Sequence, residues 1–307
     1  MKEVSFDSYD GKKLACFLWD EVAGPKGVIQ LIHGLTSHTM RYEEFAEILN
    51  ANGYIVFGDD HRVNGKTAGV ENLGKADRNN FNDNVADEIA ITKMLLEKFG
   101  LPVQLFAHSY GSFLAQRYMQ LAGGLINGVL LSGSACMGGP KLFWGKVLTF
   151  FQRIFCHVYA PGNMFTKMIF TSNDQYFLQD NIKNAWLNRD LEQVRIYNDD
   201  PLCDFTMSNG FFYSMMRGLS DAYKPENLKK IPKDLPIALM SGELDPVGGM
   251  GEKVKNLYSL YQSLGLNVTM KLYENVRHEL TSDYDREAII ADIIRFFDNN
   301  LQGGRGA

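Results

Sequence analysis

Short apolar runs, each closed by a glycine-bearing or charged turn and separated by segments of helical period, recur along this chain of 307 residues. Val28-Ile29-Gln30-Leu31-Ile32 ends in His33-Gly34, and Tyr54-Ile55-Val56-Phe57 ends in Gly58-Asp59-Asp60. Between them Tyr42, Phe45, Ile48 and Leu49 return at helical spacing. The rhythm continues with a helix around Val85, Ile89, Leu96 and Phe99, the run before Ser109, a helix through Leu114 and Tyr118, and the run Gly128 to Leu131. Strands that alternate with helices pair in parallel, because the helix carries the chain back to the starting edge, and helices then cover both faces of the sheet. The pattern therefore predicts an α/β, doubly wound architecture. Upstream, Val4 to Trp19 alternates about Asp10-Gly11 and reads as two antiparallel strands.

After Ser134 the rhythm stops. From Ala135 to about Lys224 no strand is evident; aromatic and methionine-rich amphipathic stretches are broken by polar turns such as Pro161-Gly162-Asn163. It then resumes with a strand from Pro236 to Met240, a helix from Val254 to Leu264, a strand from Val268 to Tyr273 and a helix from Ile289 to Phe297. The expected organisation is one core, 1–134 and 225–302, interrupted by a helical insertion at 135–224. Residues 303–307 read as a flexible tail.

Four dispersed cysteines, with no C-x-x-C pair, suggest neither a zinc site nor a disulfide framework. A net charge of −5 argues against nucleic-acid binding. The first residues lack the apolar stretch of a signal peptide and no run is long enough to span a bilayer, so a cytoplasmic protein is expected.

The run Val103 to His108 enters Ser109-Tyr110-Gly111 and then a helical segment. A serine on such a sharp turn presents its hydroxyl outward, and the next backbone N–H points toward whatever the hydroxyl attacks. Ala107 stands where a glycine begins the G-x-S-x-G form of this turn; the position needs a small side chain more than it needs positive φ. In open α/β sheets reactive groups gather beyond the carboxyl ends of the strands. Besides Ser109, those ends carry His33-Gly34-Leu35, Asp245 and His278. A serine hydroxyl needs a base, and a histidine backed by a carboxylate supplies one. Ser109, Asp245 and His278 stand in the chain order nucleophile, acid, histidine. Glu243 is a rival acid, with Asp245 preferred for its place at the strand end. The N–H groups of Leu35 and Tyr110 are the expected oxyanion donors. His33 and His108 read as supports beside the turns, while His38, His61 and His157 read as solvated or locally hydrogen-bonded.

Five segments carry a resemblance that spans nearly the whole chain: His33-Gly34-Leu35-Thr36, Asp60-His61-Arg62 with Gly65-Lys66-Thr67, Ala107 to Gly111, Ser241 to Gly248, and Arg277-His278-Glu279. Together they resemble the lysophospholipase and monoacylglycerol lipase branch of the α/β-hydrolases, the serine aminopeptidase-like group. Ala185 to Asp190 and Asn198 to Cys203 also resemble bacterial members. The resemblance implies an α/β-hydrolase fold, a mostly parallel sheet flanked by helices with a helical cap. It further implies a Ser-His-Asp hydrolase with no metal and no organic cofactor, its triad on Ser109, Asp245 and His278. Val63-Asn64 departs from the usual Gly-His after Asp-His-Arg.

The insertion bears on substrate. Between Cys136 and Asn173 lie Lys141, Lys146, Arg153 and Lys167 and no acid, interleaved with Phe143, Trp144, Val147, Phe150, Phe151, Ile154, Phe155 and Val158 at helical spacings. This stripe either packs a lid helix on the core, or lines an acyl pocket whose basic rim makes transient contact with anionic membrane surfaces. A second cluster, Phe205, Met207, Phe211, Phe212, Met215 and Met216, is a further candidate wall or plain core. The expected activity is cleavage of lipid-like, single-acyl-chain esters, small-molecule substrates of the monoacylglycerol or lysophospholipid kind. One rival is an aminopeptidase using Asp199, Asp200 or Asp204 to hold an amine; another is a non-catalytic ligand-binding module. The oligomeric state is left open.

Overall fold

The computed structural model describes residues 1–301, so the tail expected at 303–307 lies outside the described residues. Eight strands form one sheet in the order β1-β2-β4-β3-β5-β6-β7-β8. They are β1 (Lys2–Asp7), β2 (Lys13–Trp19), β3 (Gly27–Ile32), β4 (Tyr54–Asp59), β5 (Val103–His108), β6 (Gly128–Ser132), β7 (Ile237–Gly242) and β8 (Val268–Tyr273). Strand β1 pairs antiparallel with β2, and β2 antiparallel with β4; every later pairing is parallel. This is the mostly parallel sheet read from the sequence.

The helices are α1 (Glu43–Ala51), α2 (Gly65–Ala68), α3 (Asn80–Phe99), α4 (Tyr110–Ala122), α5 (Pro140–Phe155), α6 (Asn163–Asp174), α7 (Leu191–Asp199), α8 (Asn209–Ala222), α9 (Pro225–Leu228), α10 (Glu252–Ser263) and α11 (Arg286–Asn299). Strand side chains alternate between the two faces. Val103, Leu105 and Ala107 of β5 join Val85 and Leu95 of α3, Leu114 of α4 and Leu257 of α10, whereas Phe106 joins Phe45 of α1 and Ile293 of α11. A sheet buried on both faces has no polar side to display. That is why β3, β4, β5, β6 and β7 read as nearly continuous apolar runs, with Gln30 and Gln104 among the buried exceptions.

Between β6 and β7 the chain passes through α5 to α9 and contributes no strand to the sheet. The apolar stripe of α5 neither packs on the core nor lines the main cavity, contrary to both expectations. Trp144 is 66% and Phe155 80% exposed, and Phe143, Phe150, Phe151 and Ile154 are exposed too. What α5 sets against α8 is a narrower seam that buries Leu142 and Thr149. Helix α8, with Phe211, Phe212 and Met215, joins the core, as do Phe165 of α6 and Leu142 at the start of α5. None of the helices among the described residues is long and apolar enough to cross a membrane.

Candidate active site

Ser109 sits between β5 and α4 with φ 53° and ψ −118°. A non-glycine residue in that region costs on the order of 1–3 kcal/mol, a strain characteristic of functional turns. The turn is held by the Ser109 N–H, which donates to Ser132 O at 2.9 Å, and by the Ser112 N–H and hydroxyl, which both donate to Ser109 O. Gly111 is sterically demanded: a Cβ there would stand 2.3 Å from Ile32 O. Ala107 is fully buried between β3 and β6, where its methyl is part of the core.

His278 follows β8 and Asp245 follows β7, and β7 and β8 run side by side. His278 Nδ1 lies 2.9 Å from Asp245 Oδ2. A carboxylate can only accept, so Nδ1 carries the proton and Nε2 is left as the basic nitrogen. Asp245 is wholly buried and His278 nearly so. The second carboxylate oxygen, Oδ1, accepts the Val247 N–H at 2.8 Å, and Ser241 Oγ donates to Oδ2 at 3.2 Å. Glu243, the rival acid, is exposed. Gly133, at φ 57°, leaves space for the imidazole, since a Cβ there would come 2.8 Å from His278 Cε1.

Ser109 and His278 line one cavity of about 300 Å³, together with Leu35 and Tyr110. Gly34 runs beside the serine; a Cβ built on it would be 3.3 Å from Ser109 Cβ. The loop that carries Leu35 is pinned at both ends. His33 Nε2 accepts the His61 N–H at 3.1 Å, and Asp60 accepts the N–H groups of Thr39 at 2.8 Å and Lys66 at 2.7 Å. His33 is buried and therefore held far below the ordinary histidine range, with His61 adding to that effect. His108, whose ring centre is 4.6 Å from that of His278, is likewise kept neutral by burial and then by His278. Both rings thus stand uncharged beside the turns. His38 and His61 are not solvated: each is buried, His38 against Asp200 at 2.8 Å and His61 stacked on His33 with ring centres 3.9 Å apart. His157 is exposed, as expected.

The rest of the cavity wall is largely apolar, with Phe113 and Met137 on one side, Met168 of α6, Trp186 and Leu187, and Met215 of α8. From the second aromatic and methionine cluster only Met215 reaches it. Ser37, Asn173, Tyr197 and Lys253 add polar groups. Glu279 also lines the cavity, but Arg41 donates to both of its oxygens, at 2.8 and 2.9 Å. Arg41 in turn lies 4.7 Å from the Tyr197 ring centre. Sequence reasoning missed Arg41, Tyr197 and Lys253. The position of Glu279 next to His278 was the one available signal; nothing in the pattern pointed to the others.

Comparison with known proteins finds relatives along nearly the whole chain. Human monoglyceride lipase is 27% identical over 280 residues, covering 88% of this chain and 81% of that one. The monoacylglycerol lipase of Mycolicibacterium smegmatis is 22% identical over 302 residues, 97% of this chain and 98% of that one. Among solved structures, a highly thermostable carboxyl esterase from Bacillus coagulans in complex with glycerol superposes with a TM-score of 0.89 at 26% identity, covering 98% of each chain. The profile of the family described as serine aminopeptidase, S33, matches residues 23–285, and with the mostly parallel eight-stranded sheet this establishes that the chain belongs to the S33 family of α/β-hydrolases.

Proposed function

We propose that this protein is a serine hydrolase of carboxylic esters bearing a single acyl chain, with Ser109 as nucleophile, His278 as general base and acid, and Asp245 as the carboxylate that orients it. Ser109 Oγ attacks the ester carbonyl while His278 Nε2 takes its proton. The N–H groups of Leu35 and Tyr110 hold the oxyanion, a contribution of about 2.7–4 kcal/mol per donor in comparable enzymes. His278 then returns the proton to the departing alcohol, and water, activated by the same imidazole, releases the acyl-enzyme.

The observation that carries this reading is the single cavity into which a strained serine, a carboxylate-backed histidine and the loop of Leu35 converge, with walls that are mostly apolar. Such walls suit an acyl chain, while Ser37, Asn173 and Tyr197 suit a small polar alcohol. The acids that an amine-binding peptidase would need are engaged or turned elsewhere. Asp200 meets His38, Asp204 pairs with Lys183, and Asp199 is exposed at the end of α7. On this reading residues 135–224 form a cap, and the exposed apolar face of α5, in a stretch free of acids, supports transient contact with anionic lipid surfaces.

A panel of esters and aminoacyl amides graded by acyl length, run on the wild type and on Ser109→Ala, tests the assignment. The expected result is ester turnover that rises with chain length and vanishes in Ser109→Ala, along with labelling by a fluorophosphonate probe. Preferential turnover of aminoacyl amides, or labelling that survives in Ser109→Ala, overturns it.

A further inference from the structure

Beneath the loop that carries Leu35 lies a buried polar cluster with no assigned role. Asp59 at the end of β4, His61 two residues on and Glu88 of α3 are all within 2% of complete burial. The tautomers of the two neighbouring histidines follow from their partners. His33 Nε2 accepts the His61 N–H, so the His33 proton is on Nδ1, which donates to Gly34 O at 2.8 Å. His61 Nε2 lies 3.2 Å from His33 O, an acceptor, so Nε2 carries the His61 proton.

His61 Nδ1 then turns a lone pair toward two carboxyl groups, Asp59 Oδ2 at 3.3 Å and Glu88 Oε1 at 3.4 Å. Three acceptors converge, and neither Asp59 Oδ1 nor Glu88 Oε1 meets a hydrogen-bond donor from the described residues. Glu88 Oε2 already accepts from Gln30 Nε2 at 2.6 Å. Two buried carboxylates this close cannot both stay ionised, so the cluster must hold a proton.

We infer that Glu88 is a positioning residue kept as a neutral carboxylic acid, sharing its proton with Asp59 and His61, and that this proton fixes the His61–His33 stack beneath the turn presenting the Leu35 N–H. The kinetic part of the inference rests on the proposed role of Leu35; the protonation itself does not. The surroundings favour Glu88 as the holder. Burial, then the charge of Asp59, push its carboxyl far above the ordinary range. Among the described residues, the charged or titratable groups that act on it include Asp59 at the end of β4, His61 just beyond it, Cys16 on β2, Tyr118 on α4 and Asp87 on its own helix, with no lysine or arginine among them. Asp87 is itself bound by Arg62.

The test compares the whole protein with Glu88→Gln, which keeps the shape of a neutral acid, and with Glu88→Ala. Infrared difference spectra at neutral pH are expected to show a protonated-carboxyl C=O stretch in the wild type that is missing from Glu88→Gln. A group whose folded pKa is raised contributes most below its unfolded value and loses that contribution as pH rises through the folded one. The melting temperature of Glu88→Gln relative to wild type is therefore expected to climb as pH is raised above the ordinary glutamate value of 4.5. Glu88→Ala is expected to lower kcat about tenfold or more with KM little changed, as for a loosened oxyanion donor, and glutamine to restore it. A carboxyl band that persists in Glu88→Gln, a melting gap that does not move with pH, or one equivalent of tightly bound metal that a chelator removes together with stability would overturn the inference. The spectra and melting curves need no substrate, so their failure is separate from a failure of the ester-hydrolase reading.

Discussion

Replacing Asp245 by asparagine changes one atom in a place where every atom is committed. Oδ1 accepts the Val247 N–H at 2.8 Å and Oδ2 faces His278 Nδ1 at 2.9 Å, with both residues buried. The amide has only one oxygen. Turning its nitrogen toward Val247 would set two donors face to face out of water, a loss of about 1–3 kcal/mol. The oxygen therefore stays with Val247 and the NH₂ meets His278. The imidazole answers by moving its proton to Nε2, so the nitrogen proposed to accept the Ser109 proton already carries one. In the triad template this wrong tautomer lowers kcat about 10⁴-fold, equivalent to about 5.5 kcal/mol of transition-state stabilisation. The assay is kcat and burst amplitude on a short-chain nitrophenyl ester, with circular dichroism to check that the near-isosteric variant folds. A folded Asp245→Asn enzyme with kcat within about tenfold of the wild type would refute the reasoning, because so small a loss is incompatible with the template's tautomer penalty.

Gly133→Ala is expected to cost about 1–3 kcal/mol of stability from its positive φ and to slow fluorophosphonate labelling of Ser109, since the new methyl would press on His278 Cε1; thermal melts and labelling rates measure the two effects. Burial raises the Asp200 carboxyl, but hydrogen bonds from His38 and the Leu202 N–H outweigh it and leave the group below its ordinary value of 3.8. That stabilisation is present above pH 3.8 and lost as pH falls through the lower folded value, so the melting-temperature gap between wild type and Asp200→Asn is expected to close at acid pH. Phe151→Asp with Phe155→Asp, both exposed on α5, is expected to abolish co-sedimentation with anionic vesicles while leaving turnover of a short, freely dissolved ester within about twofold, because neither residue lines the cavity.

The core was legible because a two-sided sheet leaves its mark in nearly continuous apolar runs, and strand ends could be read from the turn residues that follow them. The candidate residues Ser109, Asp245 and His278 all lie just past such ends, at β5, β7 and β8. The orientation of α5 was not legible. Helical spacing tells which residues share a face, but Phe143, Trp144, Phe151 and Phe155 would be spaced identically whether that face met the core, the cavity or solvent. Of the two readings of His38 and His61, solvated or locally hydrogen-bonded, the solvated one fails for a related reason. Their burial comes from segments remote in sequence: Asp200 covers one, and His33 with Glu88 encloses the other. Arg41 and Glu279 meet across more than two hundred positions of chain, a pairing that no local pattern encodes.

The loop after β3 is also bonded to the segment between β6 and β7. Thr36 Oγ1 meets the Tyr197 hydroxyl at 2.7 Å, the Asp204 N–H donates to Thr36 O at 3.2 Å, and His38 holds Asp200. Modularity is thereby limited. Transplanting this segment from another hydrolase, to borrow its specificity, would also strip the loop of Leu35 of three anchors. A chimera of this kind needs Thr36 and His38 exchanged together with Tyr197, Asp200 and Asp204, as one heritable unit, if the new pocket is to keep the loop in place.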